Sequence, residues 1–341
     1  MWQALLVGVA SGCGPGSVGG QDPDPDAASP RPDAHAVPDA AQLPDGAVPD
    51  APPGPCGSGT GGTRTAPPFG APTVTTAGLL VRVMNNCPFP LWIHGQGHDG
   101  GTGVNVLAPD DARLATGQSR DYDARQTFGS ARVTAYRDGP RQNEIQFVEV
   151  HFANGQLGYN ISYVDYLGLP VEADADCGTT ACYARTDTVL AGCPAQLTEG
   201  DRCRAPGGYC AAHRGEPLCT ALDDAAAHAL SQAPCRDDLA RWRASGHASD
   251  PVGDTPSVYA CSDFWASSPN CCAMVNRGVV DADDPFDACS FYRTDPHNEY
   301  ARWVHDTCPG IYAFPYDDAG EHGGFHQCAT RELRITWCPG G

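Results

Sequence analysis

Apolar positions fall into short alternating or continuous runs between Gly78 and Val164, and the pattern returns at Leu333. Gly78–Asn85 reads GLLVRVMN, a strand-like apolar run. Pro90-Leu91-Trp92-Ile93-His94 continues as a second strand. Further strands are predicted at Ser130–Tyr136, Ile145–Phe152, Tyr159–Val164 and Leu333–Trp337. Turn residues separate several of them, notably Asp138-Gly139-Pro140 and Asn154-Gly155. That alternation predicts a mainly β chain built as a sandwich, not a βαβ protein.

From about Cys177 to Cys328 the pattern changes. Most of the 17 cysteines lie here and strand signals are few. Helices are predicted at Asp223–Gln232, at Pro234–Ala244, and from Asp295 through Val304 with Pro296 in the first turn. Loops in such a region need disulfides, each worth ~2–4 kcal/mol, which implies an oxidising compartment.

The N-terminal part has neither pattern. Residues 14–72 hold 14 of the 31 prolines, in Pro-Asp-Ala repeats with almost no large apolar residue. Such a segment buries too little to offset the entropy of ordering and is expected to be an extended spacer. Before it, MWQALLVGVASGC resembles a bacterial lipoprotein signal over residues 1–13, ending at a lipidated Cys13. Ala10 stands where a larger aliphatic is usual. The expected location is therefore outside the cell, lipid-anchored to the outer surface of a bacterial envelope.

Composition narrows the function. Against 21 basic residues, all arginine, stand 41 acidic ones, a net charge of −20 that argues against nucleic-acid binding. His94-x3-His98 and His322-x3-His326 sit among glycines, which do not present helical metal ligands. The acidic stretch Asp281–Asp287 lacks the calcium-loop glycine and terminal glutamate. No metal, no cofactor and no cysteine nucleophile is expected.

Asn85-Asn86-Cys87-Pro88, Tyr159-Asn160-Ile161-Ser162-Tyr163-Val164-Asp165, Cys271-Cys272, Cys308-Pro309 with Pro315-Tyr316-Asp317-Asp318, and Ile335-Thr336-Trp337-Cys338-Pro339 resemble a thaumatin-like protein from about Leu79 to Pro339. The resemblance implies a thaumatin-like β-sandwich over residues 73–341 with a disulfide-rich, partly helical second region at about 177–328. Residues 211–257 would be an insertion. It further implies Cys87–Cys338, Cys177–Cys328, Cys182–Cys308, Cys261–Cys271 and Cys272–Cys289 bonds. Cys193 is expected to pair with Cys203. Cys210–Cys219 and Cys56–Cys235 are suggested for the remainder, and with Cys13 lipidated sixteen cysteines are left to pair.

Many members of that family bind β-1,3-glucan, some cleave it, and several plant members are antifungal. Their acidic cleft, carried over, is Arg132, Glu149, Asn160 (in place of an aspartate), Asp165 and Asp317, with Asp318 beside it. Carboxylates and amides suit sugar hydroxyls. Paired carboxyls suit glycoside hydrolysis, with Glu149 as acid and Asp165 as nucleophile or base. The expectation is a monomer that binds β-1,3-glucan or a related wall polysaccharide. The alternatives are an endo-β-1,3-glucanase using Glu149 and Asp165, or a protein-binding or inhibitor module.

Overall fold

The computed structural model describes residues 69–97, 106–108, 112–124, 128–176, 178–182, 192–200, 202–233, 235–250, 252–253, 255–277, 300–301, 303–304, 308, 311–315, 317 and 325–339. All belong to one unit, Asp50–Gly341. The Cys13 signal, the spacer up to residue 68, Cys56, Cys177, Cys289 and Asp318 lie outside the described residues.

The strands are, in chain order, β1 (Leu79–Asn85), β2 (Leu91–Gly97), β3 (Leu107–Ala108), β4 (Ala112–Leu114) and β5 (Gln118–Ala124). Then come β6 (Phe128–Gly139), β7 (Gln142–Ala153), β8 (Gln156–Ser162), β9 (Tyr166–Leu167) and β10 (Val171–Ala175). The last are β11 (Gly178–Cys182), β12 (Thr198–Glu199), β13 (Arg202–Arg204), β14 (His326–Cys328) and β15 (Glu332–Trp337). One six-stranded sheet has the order β11-β10-β15-β1-β5-β3, and a second has β14-β8-β7-β6-β2-β4. A small third sheet is β12-β13-β9.

The two large sheets share one apolar core. Val81 and Val83 of β1, Ile335 and Trp337 of β15, Val133 of β6, Val148 of β7 and Ile161 of β8 are all essentially buried in it. Period-two alternation puts these residues on one face of each strand and leaves the other face for different work. The predicted turns make the hairpins. Asn154 and Gly155 have φ of 54° and 74° between paired Ala153 and Gln156, as a tight β7–β8 turn requires. The first and last strands pair in parallel, and Cys87–Cys338 locks them just beyond their ends.

After β13 the described residues form helices α1 (Pro206–Ala212), α2 (Pro217–Ser231), α3 (Cys235–Ala244), α4 (Thr255–Tyr259), α5 (Phe264–Ser267) and α6 (Pro269–Arg277). Each of α1 and α2 has proline in its first turn. The predicted Asp223–Gln232 helix is therefore longer, reaching back to Pro217. Tyr300, Ala301, Trp303 and Val304 are helical as expected, while Asp295 lies outside the described residues. Phe264, Trp265, Met274 and Val275 form a second small core with the cystines.

The disulfides correct the expected pairing. Cys193–Cys203 and Cys210–Cys219 are present. Cys271, however, bonds Cys235, and Cys272 bonds Cys261, in place of Cys261–Cys271, Cys272–Cys289 and Cys56–Cys235. The reason is helical: consecutive residues of α6 point about 100° apart. Cys271 thus faces the start of α3 and Cys272 faces the turn after α4. Cys308 and Cys328 are also disulfide-bonded. Their expected partners, the side chain of Cys182 and Cys177, lie outside what is described.

Candidate active site

The second face of the β14–β4 sheet carries polar side chains in register. Gln96 of β2 pairs with Arg132 of β6, Arg132 with Glu149 of β7, and Glu149 with Asn160 of β8. Three residues chosen from separate motifs thus lie side by side across adjacent strands, where opposed side chains approach to ~4.5–5.5 Å. The next row, His94, Thr134, Phe147 and Ser162, is buried. Glu149 is also buried, with its side chain 8% exposed.

Arg132 organises the charges. Its Nε lies 3.7 Å from a Glu149 carboxylate oxygen, and its Nη1 donates to Asp165 at 3.1 Å. The guanidinium lies over the Phe147 ring, 4.2 Å from its centroid, a cation–π contact that fixes its plane. Burial alone would lower the Arg132 pKa, but the charges of Asp165, Glu149 and Glu144 outweigh it and raise it. The cation is therefore permanent over any working pH.

Asp165 stands at the mouth, 48% exposed. Its loop is nonetheless tied down. The backbone carbonyl of Asp165 accepts from Ala205 N–H at 2.8 Å, where the chain enters α1. The buried Gln146 amide donates to Ser162 O at 2.8 Å, and its oxygen accepts from Gly168 N–H at 3.2 Å, spanning both ends of the loop. At Gly168 a Cβ would lie 2.5 Å from Ile145 O, so only glycine lets the loop settle on β7. Phe147 meets the Tyr166 ring edge-on at 6.2 Å. Burial first, and then the negative charge of Glu144, push the Tyr166 phenol well above its usual pKa, so it stays neutral.

The outer edge of β8 is closed by β14 and by the 311–317 turn. There Tyr163 N–H donates to Tyr312 O at 2.7 Å and Tyr312 N–H to Ile161 O at 3.2 Å. Asp317 is fully buried in this turn, and one of its carboxylate oxygens accepts from Ala313 N–H at 2.9 Å. The structure thus gives Asp317 a backbone-holding contact, although the buried Tyr259 phenol senses the charges of both Asp317 and Asp165. Tyr300 donates to Tyr163 O at 2.6 Å and Tyr259 to Ala313 O, pinning the same wall.

Gln96, Phe147, Gln146 and Tyr166 belong to this site and were not singled out in the sequence. Strand register from Arg132 and Glu149 would have pointed to Gln96 and Phe147. Nothing local marks Gln146, one strand glutamine among several. Among the described residues no group of three potential metal ligands occurs.

Comparison with known proteins bears on the fold that carries these residues. A family model described as Beta-1,3-glucanase, of glycoside hydrolase family 64, matches residues 254–332. A search of curated proteins gave no match. Among solved structures, a laminaripentaose-producing β-1,3-glucanase in complex with laminaritetraose is 16% identical, at a TM-score of 0.54. That alignment covers 76% of this chain and 98% of that one. A family 64 β-1,3-glucanase domain from Clostridium beijerinckii gives 15% identity and a TM-score of 0.55, covering 80% and 99%. The Paenibacillus barengoltzii laminaripentaose-producing enzyme, complexed with laminarihexaose, gives 15% and 0.53, covering 78% and 75%.

These findings overturn the thaumatin-like assignment. A thaumatin-like xylanase inhibitor aligns with 30% of this chain at a TM-score of 0.24, which carries no argument. Motifs such as Asn85–Pro88 and Ile335–Pro339 report a sandwich whose first and last strands are tied by a disulfide. They specify that frame, whereas the glucanase model matches residues 254–332, from α4 to the start of β15. The chain has the fold of the family 64 β-1,3-glucanases.

Proposed function

We propose that this protein hydrolyses β-1,3-glucan, with Glu149 as general acid and Asp165 as general base. The observation that carries this is Arg132 held between the two carboxylates on a shared glucanase fold. The β-1,3-glucan specificity is supported by the laminari-oligosaccharides bound in the relatives' structures.

The geometry supports a single displacement. Nε–H and Nη1–H point from different edges of the planar guanidinium, so Glu149 and Asp165 flank it rather than sharing one edge. The proposed route is therefore inverting, in which the two carboxyls stand roughly 6.5–9.5 Å apart with a water between them. Exposed Asp165 takes a proton from water, whose oxygen bonds the anomeric carbon. The bond from that carbon to O3 of the departing glucose breaks as Glu149 gives its proton to O3. Arg132 orients both carboxylates, and Asn160 and Gln96 extend the polar row.

Reducing-sugar release from laminarin by the protein, E149Q and D165N tests this. Turnover by the unaltered protein, lost by at least ~10²-fold in each variant, is expected. Equal release by all three would contradict it. We also propose, from the sequence alone, display from a membrane through lipidated Cys13 and the Pro-Asp-Ala spacer. A diacyl or triacyl mass on Cys13 of the mature protein is the check.

A further inference from the structure

The face that carries Glu149 and Asn160 continues past them to a second feature. Two residues before Asn160 on β8 stands Gly158, paired with His151 of β7, which itself lies two residues beyond Glu149. Alternation puts Gly158 and His151 on the same face as Asn160 and Glu149, about 7 Å along the strands. The Phe325 ring lies on this glycine. A Cβ there would meet Phe325 Cζ at 2.8 Å and Cε2 at 3.1 Å, with His151 Cβ at 3.7 Å. Phe325 and His151 are both half-buried, whereas Phe147 and Ser162, at the opposite end of the same face, are fully buried. The polar row thus opens towards an aromatic platform and closes in the other direction.

The two ends are chemically distinct about Glu149. Arg132 leans over Phe147 and carries Asp165 at that end, and the platform lies on the far side. In an inverting displacement, water attacks from the base's side and the departing sugar leaves on the acid's side. From this we infer that Phe325, seated on Gly158 beside His151, forms the subsite for the departing β-1,3-linked glucose. The apolar C–H face of a pyranose packs on the ring, as aromatic side chains in ligand sites commonly arrange. Gly158 is required because any side chain would lift the ring. This rests on the hydrolase reading above.

The test compares two leaving groups. Laminarihexaose places a glucose on the platform, whereas a laminari-oligosyl β-fluoride departs as fluoride and places nothing there. Turnover of both is measured for the protein, F325A, F325W and G158A. The ratio of laminarihexaose to fluoride kcat/KM is expected to fall about tenfold in F325A and G158A, and to be largely kept in F325W. Because it is a ratio, a general loss of folded protein does not move it. An unchanged ratio in F325A and G158A overturns the subsite. No turnover of either substrate by the unaltered protein overturns the hydrolase reading and the subsite with it.

Discussion

Removing the Asp121 charge should cost more than any exposed substitution, because Asp121 is the centre of a buried clasp. Asp121 and Arg82 are 5% and 6% exposed, and Arg82 Nε donates to Asp121 at 2.9 Å. The other carboxylate oxygen accepts from Thr73 N–H at 2.6 Å and from Thr73 Oγ1 at 3.0 Å. Arg82 in turn donates to Gly70 O at 2.7 Å and lies over the Phe69 ring. The pair thus fastens the 69–73 segment across β1 and β5. Asp121→Asn keeps an acceptor for Thr73 but leaves the buried guanidinium only the longer, half-exposed contact from Nη1 to Glu332 at 3.5 Å, a loss of about 3 kcal/mol. Arg82→Met with Asp121→Asn removes both charges and should recover much of that loss.

The same pair sets a pH dependence. Burial raises the Asp121 pKa, but the hydrogen bonds from Arg82 and Thr73 outweigh it, and the folded-state pKa lies below the usual value. A depressed folded pKa contributes stability above the unfolded value, about 3.9. That contribution is lost as pH falls through the folded one. Urea unfolding at pH 7 should show D121N about 3 kcal/mol less stable than the unaltered protein. The gap should shrink steadily as the pH is taken below about 4. A D121N protein within 1 kcal/mol of the unaltered one at pH 7, or a gap that does not shrink in acid, would refute the reasoning.

The other predictions concern the site and its frame. Arg132→Met should retain the far-UV circular dichroism of the fold and lower laminarin kcat/KM by about 10²-fold. Arg132→Lys should restore little, since one ammonium does not flank two carboxylates in a plane. Gln146→Leu removes the bonds to Ser162 and Gly168 that bracket Asp165. It should cost about 1–3 kcal/mol in urea unfolding and lower kcat more than it raises KM. The double variant C87A/C338A opens a loop of sequence separation 251 and should lose roughly 2–5 kcal/mol, read as a fall in Tm.

The frame was legible where sequence and local physics agree. Asn154-Gly155 announces its hairpin, and GLLVRVMN and LRITW pair as the first and last strands. Strand β5, QSRDYDA, did not read as a strand, because its buried polar residue, Asp121, is satisfied by Arg82 39 residues away. The strand therefore owes its place to a partner that no local pattern reveals. Arg132, Glu149 and Asn160 were individually visible, but their adjacency is a matter of register across three strands. The pairing of Cys271 and Cys272 was lost for a related reason. Spacing does not show that α6 turns one towards α3 and the other towards Cys261. The family assignment failed because short motifs such as Asn85–Pro88 and Ile335–Pro339 mark a disulfide-tied strand pair, a frame that does not by itself specify one family.

The central claim, that Arg132 holds Glu149 and Asp165 apart as acid and base of a β-1,3-glucan hydrolase, is tested most directly by proton NMR of laminarin digestion in its first minutes. The account predicts that the newly formed reducing end appears first as the α-anomer and then mutarotates. First appearance of the β-anomer would contradict the flanking geometry, and no new reducing end at all would contradict the hydrolase itself.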